Sequence, residues 1–513
     1  MNAAPPVLNY QTRAVIIVIA ISLVVRTVLA AVMGFSFDET YNIVVAREFA
    51  LSYYDHPPAI MWLIAAVAKL SGSEDHLVIR LPTLLLFSAQ NWLLYRLTAL
   101  MLDEWAGLFA VIALCLSPLF FFFFGAIAVT DGPLVFALTG AALFVARAVF
   151  AENARPWRDW LLAGFFFGLA LLSKFSAILV LPGLALFLLT VPRHRRYFST
   201  PAPFVAALVA LAVFTPVIVW NLENGFVAFA FQGGRAEIGN EVHVGRMLTH
   251  LAILIVVMGP LIWLVEIAAL ADALRAGPRD ERRWFFAMLA IVPIGFFLVL
   301  DLFGKNGVEA PHWLAPGYLF TLPLLGAAVV RLRARFPRAV WWTIASGIAA
   351  MSVLVMVFFT HTLTGWLGAL VPSFNNYDPI VSDQADWWNL RDTLEEKGLL
   401  DSKRYFVLAG RYYFCFKAQL VLRDSLPVVC LSDNPISHSL SRDDAALLGR
   451  DAIIIINWWA GQQTIPTIEA KFERVEKIAP VWIMAYGRPV LRVDLLLGHN
   501  LLHTILERPG DDR

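Results

Sequence analysis

The sequence predicts a polytopic α-helical membrane protein that ends in a small α/β domain. Of its 513 residues, 59% are hydrophobic and only 15% are charged, whereas soluble domains average about 25% charged residues. Long apolar stretches recur as far as residue 360, and charged residues become frequent after residue 366. Lys and Arg total 40 against 39 Asp and Glu, so the sequence lacks the basic excess of a nucleic-acid-binding protein.

The apolar stretches define the predicted membrane spans, because a spanning helix needs about 20 mostly apolar residues. We expect roughly eleven spans, at residues 14–33, 77–100, 105–124, 132–150, 160–173, 176–191, 203–220, 247–270, 284–303, 314–330 and 339–360. The first stretch lacks a cleavage site in the usual place, which favours a retained helix over a signal peptide. After it, residues 41–51 and 59–70 are expected to form two short amphipathic helices on the membrane surface.

Arginines sort the connecting loops into two sides. Four alternate loops carry arginine clusters, at positions 147, 155 and 158; 193, 195 and 196; 275, 279, 282 and 283; and 331, 333, 335 and 338. The positive-inside rule places these loops in the cytoplasm. The opposite loops and everything after about residue 361 are therefore predicted to face the periplasm.

The predicted domains are a transmembrane domain, residues 1–364, and a soluble periplasmic α/β domain, residues 365–513. In the second, β-rich runs at 405–409, 428–431, 452–457 and 490–497 alternate with helix-like stretches such as 386–397. Cys415 and Cys430 both fall in this domain, where a disulfide is permitted, and the sequence leaves open whether they pair.

Charged residues at the outer ends of the spans are the candidate functional residues, since charge at membrane depth is expensive. Asp38 and Glu39 follow the first span directly. A carboxylate there can accept a proton from a hydroxyl group or help to bind a divalent cation. The alternative is that the two residues only cap the next helix.

The stretch Tyr54-Asp55-His56, followed by two prolines, combines a titratable pair with a stiffened backbone. The alternative is a turn whose aspartate caps the following helix. Asp131, before Gly-Pro, also suits a helix start, but it faces the same predicted side as Asp38. The two residues can therefore share a polar cavity.

Two loops on the same side supply cations. Lys174 lies between two apolar runs, where an ammonium group can bind a lipid-linked phosphate or simply snorkel to the headgroups. The loop at 304–313 offers Lys305, Glu309 and His312 beside an aromatic residue. The sequence contains no Walker loop, dinucleotide fingerprint, His-Glu-x-x-His or CxxC motif.

Five stretches occur in an order that resembles a known family: FDETY at 37–41, YYDHPP at 53–58, DGPL at 131–134, GLALLSK at 168–174 and PHWLAP at 311–316. Together they are similar to the GT-C glycosyltransferases of the protein-mannosyltransferase and aminoarabinose (lipid A) transferase type. The resemblance covers about the first 320 residues.

This resemblance implies a sugar donor on a polyprenyl phosphate and direct displacement with inversion at the anomeric carbon. Asp38 would be the catalytic base, supported by Glu39, and Asp131 would be a second acid of the cavity. The donor phosphate would be bound by Lys174, with Lys305 and His312. The remaining cavity-lining residues would be Tyr54, Asp55, His56 and Glu309. A divalent metal ion is possible, with Asp38, Glu39 and His56 as its ligands.

The function predicted is an inverting glycosyltransferase of the bacterial inner membrane that acts on lipopolysaccharide or lipid A at the periplasmic face. Its partners would be the polyprenyl-phosphate sugar, a glycolipid or protein acceptor, and membrane lipids, with no nucleic acid. One alternative is a protein O-glycosyltransferase with the same donor. Another is a secondary transporter or flippase, although transporters usually show inverted repeats and ionisable residues at mid-membrane.

Overall fold

The computed structural model describes residues 8–306, 310–375, 377–423, 425–431, 444–456 and 465–505. Packing divides the chain into two compact units. The first comprises Met1–Ala31 with Ala50–Val353, and the second comprises Val32–Phe49 with Leu354–Arg513. Residues 32–49, which the predicted division at residue 364 assigns to the membrane domain, therefore pack with the C-terminal part of the chain.

The structure is mostly helical before residue 364 and mixed thereafter. Its α-helices are α1 Tyr10–Val32, α2 Phe37–Ala46, α3 Ala59–Ser71, α4 His76–Met101, α5 Glu104–Leu116, α6 Asp131–Phe150, α7 Pro156–Ser173, α8 Val180–Thr190, α9 Pro201–Glu223, α10 Val227–Arg235, α11 Val244–Met258, α12 Pro260–Ala276, α13 Glu281–Phe303, α14 Ala315–Arg335, α15 Pro337–Thr364, α16 Pro379–Ser382, α17 Trp388–Glu396, α18 Tyr412–Leu422 and α19 Ile465–Glu469. Its strands are β1 Tyr405–Ala409, β2 Val428–Cys430, β3 Asp451–Ile456, β4 Phe472–Ala485 and β5 Arg488–Leu501.

Every predicted span contains helix, but several are interrupted. Within the described ranges, seven helices are long and apolar enough to cross a membrane, or up to nine if each bent pair counts as one span. The span predicted at 105–124 is not continuous: α5 ends at Leu116, and a π-helix follows at Leu119–Phe124. Pro118 accounts for this break, because the residue before a proline is pushed into extended backbone and Ser117 has ψ 116°.

The span predicted at 247–270 is likewise broken. Helices α11 and α12 meet at Gly259 and Pro260 with a bend of 108°. Gly259 has φ 90°, a backbone conformation that residues with a side chain rarely adopt. The number of spans, predicted as eleven, stays a prediction.

Small residues let the helices of the first unit approach closely, as is common between membrane helices. At Gly164 on α7, an added Cβ would lie 2.2 Å from the backbone oxygen of Ala206 on α9. At Gly326 on α14, it would lie 2.1 Å from the backbone oxygen of Ala106 on α5. These contacts hold the helices whose ends carry the candidate residues.

Of the two amphipathic helices predicted on the membrane surface, the second is present as α3, within one residue of its expected bounds. The prediction for 41–51 is wrong in extent and in surroundings. Helix α2 begins at Phe37, ends at Ala46 and packs against α18 of the C-terminal domain. Its residues from Glu39 to Ala46 are buried, so it has no exposed polar face.

The described strands of the second unit form one mixed sheet in the order β2-β1-β3-β5-β4. Strands β2, β1 and β3 are parallel, and β5 runs antiparallel to both β3 and β4. One face packs against α17 and α18, and Ile468 of α19 packs on the other. Cys415 of α18 and Cys430 of β2 form a disulfide, which answers the question that the sequence left open.

Strand β4 is absent from the sequence prediction. Its first half reads Phe-Glu-Arg-Val-Glu-Lys and is mostly exposed, so it lacks the apolar run used to recognise the other strands. It forms a long hairpin with β5 through Tyr486 and Gly487, whose φ values are 52° and 77°. Two consecutive positive φ values are typical of the tight turns that suit the twist of a hairpin.

Candidate active site

An ion pair between Asp131 and Lys174 forms the centre of the candidate site in the first unit. The Lys174 ammonium donates to both carboxylate oxygens of Asp131, each at 2.9 Å. The Asp131 side chain is only 5% exposed and that of Lys174 only 12%. Such a dry, two-point contact differs from a lysine that merely snorkels to the headgroups.

The helix packing explains why two residues 43 positions apart meet. Helices α6 and α7 are consecutive and pack along each other. Asp131 is the first residue of α6, and Lys174 directly follows the last residue of α7. The two ends therefore lie together. Lys174 has extended backbone, with φ −158° and ψ 136°, which interrupts the helical path before the 3-10 turn Phe175–Leu179.

The capping alternative for Asp131 is not what the structure shows. The residue lies inside the helix rather than at its N-cap, which is Thr130, and its carboxylate accepts from Lys174. Its position in the first helical turn still favours negative charge there, because the helix dipole is positive at this end.

His312 joins this pair. Its Nε2 lies 4.0 Å from the second carboxylate oxygen of Asp131. The imidazole stacks against Phe123, with ring centroids 6.3 Å apart, and meets Phe124 edge-on. Part of the run of five phenylalanines at residues 120–124 therefore packs around a polar side chain.

The Asp55-His56 pair forms the next part of the cluster. Asp55 is buried, and its carboxylate lies 3.4 Å from Nε2 of His56. The turn is held by the side-chain amide of Gln232, which donates to the backbone oxygen of Asp55. Tyr54 packs its ring on Phe231 at 5.2 Å between centroids.

His56 interacts electrostatically with both members of the central ion pair. Burial lowers the pKa of His56 below its usual value, although the Asp55 carboxylate acts in the opposite direction. The cations Lys174 and Arg235 lower this pKa further, while Asp131 raises it. His56 is therefore neutral at pH 7. Its Nδ1 is buried without a hydrogen-bond partner among the described residues, a state that favours a hydrogen-bonding ligand.

Arg235 is the site residue that the sequence did not single out. It ends α10, and its guanidinium lies over the Trp313 ring at 4.4 Å and the Phe231 ring at 5.2 Å. Stacking on aromatic rings holds the planar cation while leaving its N–H groups at the edge. The available signal was that Arg235 and Arg246 are the two arginines of a predicted outer loop, on the side that is otherwise poor in cations.

Lys305, predicted from the 304–313 loop, does not add to this cluster. Lys305 forms an ion pair with Glu237, and both side chains are more than half exposed. Such surface pairs contribute little to stability and do not mark a site. Glu309 lies outside the described residues.

Asp38 and Glu39 lie in the second unit, on the first turn of α2. Glu39 is fully buried, and its carboxylate accepts the backbone N–H of Ser36 at 3.0 Å, while the Ser36 hydroxyl accepts the N–H of Glu39. This reciprocal arrangement is a capping box, so the capping alternative is observed for Glu39. Asp38, the neighbouring residue, is exposed.

Within the described ranges, no group of three or more His, Cys, Asp or Glu side chains is placed to hold a metal ion. The metal-ligand set Asp38, Glu39 and His56 stays a prediction. The Glu39 carboxylate caps α2.

An apolar helical bundle with buried charges at helix ends, followed by an α/β domain, is the architecture of a polytopic membrane protein. Its fold is that of ArnT from Cupriavidus metallidurans. The chain aligns with the structure of ArnT bound to undecaprenyl phosphate at a TM-score of 0.66 and 16% identity, covering 94% of this chain and 98% of that one. Against apo ArnT the TM-score is 0.67 at 16% identity, covering 95% and 98%.

The sequence is similar to those of known glycosyltransferases. The dolichyl-phosphate-mannose-protein mannosyltransferase family matches residues 55–220, a range that contains Asp55, His56, Asp131 and Lys174. The lipid A galacturonosyltransferase RgtD of Rhizobium johnstonii is 27% identical over 343 residues, which cover 64% of this chain and 67% of RgtD. The chain therefore has the fold of ArnT and is similar in sequence to the mannosyltransferase family and to RgtD. Its long apolar helices are those of a multi-pass membrane protein.

Proposed function

We propose that this protein transfers a sugar from a polyprenyl-phosphate donor to lipid A or the lipopolysaccharide core, with inversion at the anomeric carbon. The observation that carries the proposal is the buried Asp131–Lys174 pair with Arg235 in the same electrostatic cluster. The likeness to RgtD, a lipid A galacturonosyltransferase, and to ArnT, which binds undecaprenyl phosphate, supports the acceptor and the donor.

The cationic groups suit a lipid-linked phosphate. The described hydrogen bonds of the Lys174 ammonium both go to Asp131, which leaves one of its three N–H groups for a phosphate oxygen. Arg235 adds a planar cation suited to phosphate. These charges stabilise the phosphate as it leaves, and burial strengthens the effect.

The reaction is a single displacement. An acceptor hydroxyl oxygen attacks the anomeric carbon, the bond from that carbon to the phosphate oxygen breaks, and the polyprenyl phosphate leaves with the bonding electrons. The hydroxyl proton passes to a carboxylate, which we assign to Asp38 because the stretch at 37–41 resembles that of the GT-C glycosyltransferases. Neutral His56, whose Nδ1 has no hydrogen-bond partner in the described part of the chain, is the candidate for hydrogen bonding to a sugar hydroxyl.

The proposed orientation places this chemistry on the periplasmic side. The arginine clusters of the four alternate loops favour the cytoplasm, and Asp131, Lys174 and His312 lie at the opposite ends of the spans. A periplasmic site suits a donor carried across the membrane on a prenyl chain.

A protein acceptor is the second candidate, because the matching family is described as a protein mannosyltransferase. Mass spectrometry of envelope glycolipids and glycoproteins, with and without the gene, separates the two. Loss of a sugar from lipid A or the core supports the proposal. Loss of a sugar only from glycoproteins would replace the acceptor, and no change in either would overturn the transferase assignment.

The base assignment is tested by Asp38→Asn in the purified enzyme. We expect the turnover of donor to fall by about two to four orders of magnitude, the usual contribution of a general base. Asp75→Asn is the matched control, because it removes another exposed carboxylate at the start of a helix, α4. Near-normal turnover by Asp38→Asn would exclude Asp38 as the base.

A further inference from the structure

Helix α2, which carries Asp38, begins in a segment bound by a buried lysine of the C-terminal domain. Lys417 on α18 is 1% exposed. Its ammonium donates to the backbone oxygen of Phe35 at 2.5 Å and to that of Ala385 at 2.9 Å. The Lys417 ammonium therefore links the residues just before α2 to the segment that precedes α17.

Two aspartates of the segment before α17 accept hydrogen bonds from the backbone at the start of α2. Asp383 accepts the backbone N–H of Phe37 at 3.0 Å, and Asp386 accepts that of Phe35 at 3.3 Å. Burial raises the pKa of Asp383, and Glu39 adds to this, while Lys417 and the Phe37 N–H act to lower it. The backbone on either side of Ser36, the N-cap of α2, is thus fixed by charged side chains.

Side chains extend the contact along α2. The ring centroids of Phe37 and Tyr413 are 4.8 Å apart. The Lys417 ammonium lies 5.2 Å from the centroid of the Phe37 ring. One helical turn later, Tyr41 meets Phe416 edge-on at 4.8 Å. Helix α2 therefore lies on α18 over more than one turn.

Helix α18 is itself held firmly in the C-terminal domain. Its Cys415 is covalently joined to Cys430 at the end of β2, and β2 pairs with β1 in the sheet. Phe416 and Leu422 of α18 are fully buried. The position of α2 is accordingly set by a disulfide-linked helix rather than by a flexible loop.

We propose that Lys417 and Asp383 are positioning residues for catalysis, which orient the first turn of α2 and so place the Asp38 carboxylate. This inference rests on the proposed function, in which Asp38 is the base. A buried ammonium that binds two backbone oxygens is costly to replace, because both oxygens would lose their donor. The C-terminal domain then contributes to catalysis by orienting α2.

The test compares Lys417→Met with Lys471→Met in the full-length enzyme. Lys471, in the same domain, also donates to a backbone oxygen, that of Thr504 at 2.8 Å, so its variant removes a similar bond away from α2. We expect Lys417→Met to lower kcat about 10- to 100-fold, since misplacing a catalytic group by about 1 Å costs this much. The donor KM should stay within about twofold, and Lys471→Met should retain wild-type kcat.

A second pair of variants guards against simple misfolding. Asp383→Ala removes the acceptor for the Phe37 N–H, whereas the amide oxygen of Asp383→Asn can keep it. Asp383→Asn should therefore recover most of the kcat that Asp383→Ala loses. Equal losses in both variants would contradict a positioning role that acts through this hydrogen bond.

Hydrogen exchange distinguishes failure of this inference from failure of the proposed function. In Lys417→Met, the amides of residues 36–46 should exchange faster, while those of β5 stay protected. Faster exchange with unchanged kcat would refute Asp38 as the base and with it the positioning role. Reduced kcat without faster exchange would overturn positioning by Lys417 but leave the base assignment standing.

Discussion

The Asp131–Lys174 pair gives the sharpest test of the site, because substitutions in it should affect protein stability and donor use differently. At 2.9 Å and with both side chains nearly dry, the attraction is roughly 6 kcal/mol at an effective dielectric constant near 20. Desolvation of the two charges offsets much of this gain. Removing one partner from a buried pair nevertheless costs about 3–5 kcal/mol, because the other charge remains buried and unpaired.

We therefore expect Asp131→Asn and Lys174→Met each to lower the free energy of unfolding by about 3 kcal/mol or more. The double variant should lose less than either single variant, since it leaves no unpaired charge. Unfolding by SDS titration in mixed micelles measures these values. Lys69→Met, which removes an exposed lysine of α3, is the control and should change stability by less than about 0.5 kcal/mol.

Activity should follow a different pattern. The double variant regains stability but still lacks the cation proposed to bind the donor phosphate, so it should need at least about tenfold more donor, a loss of 1.4 kcal/mol in binding. Transfer from a synthetic polyprenyl-phosphate sugar, measured over a range of donor concentrations, gives this value. Wild-type use of donor by the double variant would show that the pair is only structural. Additive stability losses would refute the burial argument.

Two further predictions concern protonation and packing. The lowered pKa of His56 means that the folded protein binds fewer protons there than the unfolded chain, so the neutral side chain supports folding above the unfolded pKa near 6.5. This support is lost as pH falls below that value. In the wild-type protein the unfolding temperature should therefore fall between pH 7 and pH 5, and His56→Phe should reduce that fall. The same pH dependence in both proteins would contradict a lowered pKa of His56. Gly164→Ala should destabilise the protein by about 1–3 kcal/mol, because the new Cβ would lie 2.2 Å from a backbone oxygen of α9. Gly295→Ala, where an added Cβ meets nothing within 4 Å among the described residues, should be tolerated, and equal losses in the two alanine variants would refute the packing argument.

Local signals determined the class of the protein and the approximate position of most elements. Long apolar runs predicted α1, α4, α6, α9, α13, α14 and α15, since a segment that must satisfy its backbone within the bilayer becomes a helix. The short apolar run at 405–409 predicted β1 with its observed bounds. The order of the motifs around Asp38, Asp55, Asp131, Lys174 and His312 indicated the glycosyltransferase type.

Tertiary structure alone decided which of those residues meet. Asp131 and Lys174 meet because the start of α6 and the end of α7 lie together, and Arg235, the last residue of α10, joins their electrostatic cluster. Hydropathy records whether a segment is buried but not which neighbour buries it. That is why α2, predicted to lie on the membrane surface, packs instead on α18, and why β4 was missed. An edge strand with an exposed, charged half becomes recognisable only through its pairing with β5.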